Sequence, residues 1–318
     1  MRRRSELGTL LILFFVIVGT AIKEPRFLGG DSVNGVLLYV PLLAIIGMGQ
    51  MLVIVTRGID VSVGSIVAVA GMIVGMTFRA HPAMNVGLGM LEGLGVGLLL
   101  GGVNAAAIAW GRVPPIVATL GTLSAYRGLT FIVSGGKQVD GNDLPDALTA
   151  LSTAGPVEFG KVTLPWILLL ALAVAGATAF FVGKTRAGRN VFALGGNPDA
   201  ARMRGVPVAG TTFLVYAVSG ALSGLAGVLY ASRYGFVNPG TIGSGMELSV
   251  IAAVVIGGTK VSGGSGTVPG VLLGCLLLGT IGQALTVMGI AATWQGLVYG
   301  LVILFALLLG RALRGAEA

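Results

Sequence analysis

The sequence predicts an all-α integral membrane protein with about ten transmembrane helices and both termini in the cytoplasm. Three observations predict this. Hydrophobic residues fill 55% of 318 positions and charged residues only 10%, with a mean hydropathy of +0.94; a soluble domain carries about 25% charge. The apolar runs are long, continuous and rich in Leu, Ala and Gly rather than alternating, which argues for helices and against strands. The cations are also unevenly placed. Thirteen fall inside (Arg2, Arg3, Arg4, Arg57, Arg112, Lys184, Arg186, Arg189, Arg202, Arg204, Lys260, Arg311, Arg314) and six outside (Lys23, Arg26, Arg79, Lys137, Lys161, Arg233), with Arg127 inside a span. That imbalance obeys the positive-inside rule. Topology and attraction to anionic lipid account for the net charge of +8 without nucleic acid. The whole chain, 1–318, is expected to form one membrane domain.

A spanning helix needs about 20 apolar residues, and ten segments follow in order. The first, 7–22, follows three arginines like a signal peptide, but Lys23, Glu24 and Pro25 come next without a small-x-small cleavage site, so it is retained as a span. Segments 35–56, 62–79, 86–110, 115–134, 164–182 and 211–231 are long enough to cross. Segment 246–258 is short, which suits a tilted or re-entrant element; 267–288 and 293–310 complete the set. Gly71/Gly75, Gly93/Gly97/Gly101, Gly220/Gly224 and Gly270/Gly274 have the small-xxx-small spacing that lets backbones approach, and are expected to pack within the chain.

No catalytic residue is expected. The single histidine, His81, sits in an external loop, so no Ser-His-Asp triad can be assembled, and the single cysteine, Cys275, forms neither an internal disulfide nor a thiolate metal site. Gly183, Lys184 and Thr185 imitate the tail of a phosphate loop, but Thr178 stands where GxxxxGK[ST] requires glycine. Neither ATP nor a metal is expected on this chain.

Three features carry function instead. The first is a polar, basic insert at 188–207 within a cytoplasmic loop, 183–210. Asn197 is a good N-cap and Pro198 fits the first helical position. Asp199 and the pair Arg202 and Arg204 complement the helix dipole, while Gly205 and Pro207 end the helix. A helix of about seven residues is marginal alone in water, so it is expected to pack on something, a partner protein being one candidate.

The second is a match at an offset of 200 between VTRGIDVSVGS (55–65) and VIGGTKVSGGS (255–265). Both break apolar runs with glycine, serine and a charge, the pattern of irregular backbone lining a transport path. Asp60 and Lys260 take equivalent places, and are expected either to face each other or to lie on loops that meet near the cytoplasmic mouth. The third is a polar stripe at helical spacing, Thr119, Thr122, Tyr126 and Thr130, with Ser124 and Arg127 alongside and Gln50 and Asn104 on other spans. Such groups suit a polyhydroxylated solute; the plain alternative is hydrogen bonding between helices. Arg127 must be paired or wet if buried, and of the carboxylates near span ends, Glu92 and Glu247, a buried one would be functional.

These residues resemble a known family. GIDVSVGS (58–65), PPIVATLGT (114–122) with Arg127 and Gly128, Gly188 and Arg189 with ALGGNPDAA (193–201) and Gly205, GMEL (245–248), and IAAVVIGG (251–258) with SGG (262–264) are similar, in that order, to permeases of bacterial ABC importers for monosaccharides such as ribose, xylose and arabinose. The resemblance runs from about 35 to 310. IVATLGTL (116–123), YRG (126–128) and SGGK (134–137) look most similar to the rhamnose and autoinducer-2 permeases; Ile116 departs from the phenylalanine usual in the ribose type.

The resemblance implies a multi-pass protein of the bacterial inner membrane. Its partners would be a second permease chain, identical or homologous, a cytoplasmic ATPase holding ATP and magnesium, and a periplasmic or lipid-anchored sugar-binding protein facing loop 135–163. It assigns ATPase coupling to Gly188, Arg189, Gly196, Asn197, Pro198, Ala200, Ala201, Arg202 and Gly205. The translocation path is expected along Gln50, Asp60, Asn104, Thr119, Thr122, Tyr126, Arg127 and Glu247. The open alternatives are a secondary transporter or facilitator of a small polar solute, a passive scaffold subunit, and an ABC permease for nucleosides or branched-chain amino acids.

Overall fold

The computed structural model describes residues 2–291 together with 294, 296–298, 300 and 301. Its helices are α1 (Arg2–Lys23), α2 (Gly30–Val55), α3 (Val63–Ala80), α4 (Val86–Ala109), α5 (Pro115–Ser134), α6 (Asp146–Thr153), α7 (Trp166–Lys184), α8 (Arg186–Gly196), α9 (Pro198–Met203), α10 (Val208–Tyr234), α11 (Met246–Ile256) and α12 (Val268–Val287). Seven of them, α2, α3, α4, α5, α7, α10 and α12, are long and apolar enough to cross a membrane. The apolar part of α1, Leu7–Lys23, and α11 are shorter. The tenth expected span, 293–310, lies for the most part outside the described residues.

Helix α2 is the axis of the bundle. From Pro41 to Val55 every residue is buried, as expected of a helix that is hydrophobic all round. Helices α7, α10, α11 and α12 pack about it. Beside them α4 and α10 meet along a glycine seam: a β-carbon on Gly97 would run into the carbonyl oxygen of Gly220, and one on Gly224 into that of Gly93. The small-xxx-small pairs therefore serve packing within the chain.

Two spans are broken. After α2 the chain turns back into the bundle over residues 56–62, so that Asp60 lies beside Gln50. After α10 it descends without helix along α3: Val237 packs on Gly75, Ile242 on Gly71, and Gly243 on Gly64. That course runs from Gly75 to Gly64 along α3, about 16 Å at 1.5 Å per residue. Only then does α11 begin, and its own 11 residues reach about half of a 30 Å hydrocarbon core. The short eighth span is thus a half-helix preceded by a non-helical segment of consecutive turns.

The external loop 135–163 is more ordered than the sequence suggests. It holds α6 and the start of a hairpin that the sequence did not predict, β1 (Val157–Phe159) against β2 (Val162–Leu164), antiparallel with Val157 opposite Leu164. Gly160 makes its turn at φ +60°. Arg79 Nε and Nη2 donate to Asp143 Oδ2 at 2.9 and 2.6 Å, and Nη2 also reaches the Gln138 carbonyl at 2.6 Å. Val139 and Val237 exchange backbone hydrogen bonds of 2.9 Å, which fastens the loop to the descending segment.

Candidate functional site

The cytoplasmic insert is two helices where the sequence suggested one. Thr185 caps α8, its hydroxyl accepting from Gly188 N at 2.9 Å. One face of α8, with Gly188, Val191, Leu194 and Gly195, is buried. Asn197 then caps α9: its Oδ1 accepts from Ala200 N at 3.0 Å, and Pro198 opens the helix. Ala201 is buried, while Arg202, Met203 and Arg204 project outward, with Met203 89% exposed. Gly205, at φ +76°, ends the helix in the left-handed region that glycine enters without penalty. Arg189 and Gly196 are exposed.

The end of α8 is tied to both broken segments. Arg57 Nε donates to the Gly195 carbonyl at 2.7 Å and its Nη2 to the Gly196 carbonyl at 2.8 Å. A cation belongs at this negative end of a helix. Val55 O accepts from Gly264 N at 2.9 Å, and a β-carbon on Gly195 would collide with that same oxygen. The end of α2, the end of α8 and the 257–266 loop therefore meet in one joint. Arg57 takes φ +68° to make it. In the sequence Arg57 counted only as one inside cation; its partner carbonyls are 138 and 139 positions away, and no local pattern announces them.

The loops carrying Asp60 and Lys260 meet, but the two charges do not face each other. Asp60 is fully buried and Lys260 is exposed; among the described residues no ion pair joins them. The physical reason is the fold-back at 56–62, which withdraws Asp60 into the bundle, while Lys260 stays at the rim and its backbone N–H pairs with Ser265 O.

Five of the expected path residues converge on that fold-back. Asp60 Oδ1 accepts from Ser62 N at 3.0 Å and from Ser62 Oγ at 2.6 Å, and Ser219 Oγ of α10 lies 3.4 Å from Oδ2. Asn104 Nδ2 of α4 donates to Ser62 Oγ at 2.8 Å, and Thr122 Oγ1 of α5 donates to Asn104 Oδ1 at 2.7 Å. Thr119 Oγ1 reaches the Ile59 and Pro115 carbonyls at 3.3 and 3.0 Å. The Gln50 carboxamide, oriented by its partners, brackets the N–H and C=O of Asp60 at 3.2 Å each. Gln50, Asp60, Asn104 and Thr119 have no exposed surface, so in this conformation they hold a broken backbone together rather than lining open space. Irregular backbone at membrane depth requires such satisfaction.

Tyr126, Arg127 and Glu247 lie outside this knot. The Tyr126 hydroxyl donates to Leu100 O at 2.9 Å, and Arg127 Nη1 donates to Ile242 O at 2.7 Å, anchoring the descending segment. Glu247 stands in the first turn of α11 against Gly64, and its Oε2 is buried without a hydrogen-bond partner among the described residues. Ser124 faces outward. Cavities open toward both faces of the bundle. An outer one of about 440 Å³ holds Arg233, whose guanidinium lies 4.9 and 4.8 Å from the rings of Tyr39 and Tyr234. An inner one of about 430 Å³ lies among the cytoplasmic loops.

Broken spans around a buried polar knot, joined to an exposed capped helix, make up the candidate site. The family model described as the branched-chain amino acid transport system permease component matches residues 32–307. The chain belongs to this permease family. The permease is 39% identical over 319 residues to the autoinducer 2 import system permease protein LsrC of Yersinia pestis (strain Pestoides F), covering 99% of this chain and 86% of that protein. It is 35% identical to the LsrC protein of Escherichia coli O9:H4 (strain HS), covering 99% and 90%, and 38% identical to that of Yersinia enterocolitica serotype O:8, covering 99% and 84%. No solved structure matches the chain. The resemblance carried by the five motifs thus extends along the whole permease. It is a transport subunit rather than an enzyme, a multi-pass protein of the plasma membrane, and its family works with an ATPase and a solute-binding protein.

Proposed function

We propose that the permease is the membrane subunit of an ATP-driven importer for a small hydroxylated solute of the autoinducer-2 or monosaccharide type. The likeness to the LsrC proteins supports the solute class. The observation that carries the mechanism is the joint at Arg57, because it connects a cytoplasmic helix to both broken spans. In this reading α9 docks in a groove of the ATPase, with Met203 as an apolar knob between Arg202 and Arg204. ATP and magnesium belong to that partner. When the ATPase closes, α9 moves as a rigid body. Arg57 and the Gly264–Val55 bond pass the displacement to segments 56–62 and 257–266. The polar knot, whose members trade hydrogen bonds among themselves in this conformation, then releases partners to the solute. A second permease chain, identical or homologous, completes the path, and α6 with the hairpin of loop 135–163 receives the binding protein.

The test is reconstitution with the ATPase and binding protein from the same cells. Met203→Asp is expected to cut co-purification of the ATPase at least fivefold and to abolish ATP-dependent uptake, with the variant still inserted in the membrane. Full uptake by Met203→Asp would refute docking through α9. Stimulation of ATP hydrolysis by a leucine-binding protein, and not by one loaded with autoinducer-2 or rhamnose, would overturn the solute class.

A further inference from the structure

The inner cavity lies under the fold-back at 56–62. The Thr56–Gly58 turn roofs it, Arg112 and Arg202 stand at its rim, and Thr212 and Tyr216 of α10 form its inner wall. Its volume of about 430 Å³ falls within the range of small-molecule sites. All of these elements sit on the side that carries the excess of Lys and Arg.

Tyr216 is the feature that needs explaining. It is 1% exposed, and its hydroxyl is buried without a hydrogen-bond partner among the described residues. The hydroxyl is pressed against Gly58, where a β-carbon would collide with it. Leaving a buried hydroxyl unpaired costs about 1–3 kcal/mol, and phenylalanine would fill the same space without that cost. Three residues further along α10, Ser219 approaches Asp60. The phenol therefore stands between the cavity and the polar knot, with its hydroxyl against Gly58.

We propose that this cavity is the site from which the solute leaves to the cytoplasm, and that the Tyr216 hydroxyl is its donor, uncovered when the 56–62 segment lifts. This rests on the import reading above. The occupant is a neutral polyol or hydroxycarbonyl of monosaccharide size. The Tyr216 and Thr212 hydroxyls exchange hydrogen bonds with it, and the two guanidinium groups attract its oxygens toward the mouth. Because Arg202 belongs to α9, movement of the coupling helix changes the rim of the same site.

The experiment uses the full importer in inside-out vesicles, with Ala209→Cys as a reporter, a lining residue whose side chain offers the solute no hydrogen bond; the natural thiol, Cys275, is fully buried. A membrane-impermeant maleimide reads access from the cytoplasmic side, and autoinducer-2 at millimolar concentration is the probe. We expect the probe to slow labelling at least fivefold with Tyr216 present and less than twofold in Tyr216→Phe, whose thermal midpoint is no lower than the parent's. Labelling indifferent to the probe, equal protection in both backgrounds, or a lower midpoint in Tyr216→Phe would each overturn the site. Uptake is read in right-side-out vesicles from the same cells. Uptake without protection overturns the release site and leaves the import reading standing; absence of ATP-dependent uptake overturns both.

Discussion

A non-glycine residue at φ +68° is uncommon, and Arg57 adopts that angle in a segment where glycine follows immediately. The strain is of order 1–2 kcal/mol. What holds it is the pair of charge-assisted hydrogen bonds to the α8 carbonyls. Two substitutions separate strain from clamp. Arg57→Gly relaxes the backbone and removes the clamp; Arg57→Ala removes the clamp and keeps the strain. Both are expected to lower solute moved per ATP hydrolysed at least tenfold, with the Gly variant the more stable by about 1 kcal/mol. Normal transport stoichiometry in both would show that the joint transmits nothing. This residue was not legible in advance, because its partners are set by tertiary packing. Asp60, Asn104 and Thr122 were legible as candidates, since polar side chains inside apolar runs stand out. Their bonds to one another, however, follow from the fold-back at 56–62, which the run of Gly, Ser and Asp signalled only as a break.

At the scale of elements, a sharp constraint is the α4–α10 seam, where backbone meets backbone. Gly97 has the carbonyl of Gly220 in the place of a side chain, whereas a β-carbon at Gly95, on another face of α4, meets nothing within 4 Å. Gly97→Ala is therefore expected to destabilise by about 1–3 kcal/mol through forced separation of the helices. Gly95→Ala should be neutral or slightly stabilising, since alanine is the better helix former. Thermal unfolding in detergent compares them; equal midpoints would mean that the seam is looser than its geometry. The seam was readable from spacing alone, because small-xxx-small is a local pattern. So were the cap at Asn197 and the stop at Gly205. Helix α8 was missed because its start at Thr185 abuts the end of α7 without proline or glycine between them. The non-helical descent at 235–245 was missed too, since its glycines read as an ordinary loop until Ile242 and Gly243 are seen against α3.

For the molecule as a whole, the outer face is latched by Arg79 and Asp143. The Arg79 guanidinium, with help from the Asp140 backbone N–H, holds the Asp143 carboxyl below the usual carboxylate range. A carboxyl depressed in the folded state stabilises above its unfolded value, about 3.9, and that contribution fades as pH falls through the lower folded value. The difference in thermal midpoint between the parent and Asp143→Asn should thus be constant near neutral pH and vanish only below about pH 4. A difference that does not shrink as pH falls below about 4 would mean that the aspartate acts by shape and not by charge. The axis of the bundle carries one more consequence. Helix α2 emerges from the ribosome well before α10, α11 and α12, which enclose it and begin at Val208 or later. At 5–20 residues per second the intervening chain takes about 8–30 s to synthesise. Throughout that interval the helix that ends most deeply buried, with Gln50 in its last two turns, must wait in lipid for its neighbours; the permease is threaded into the membrane from one end and closed around its centre from the other.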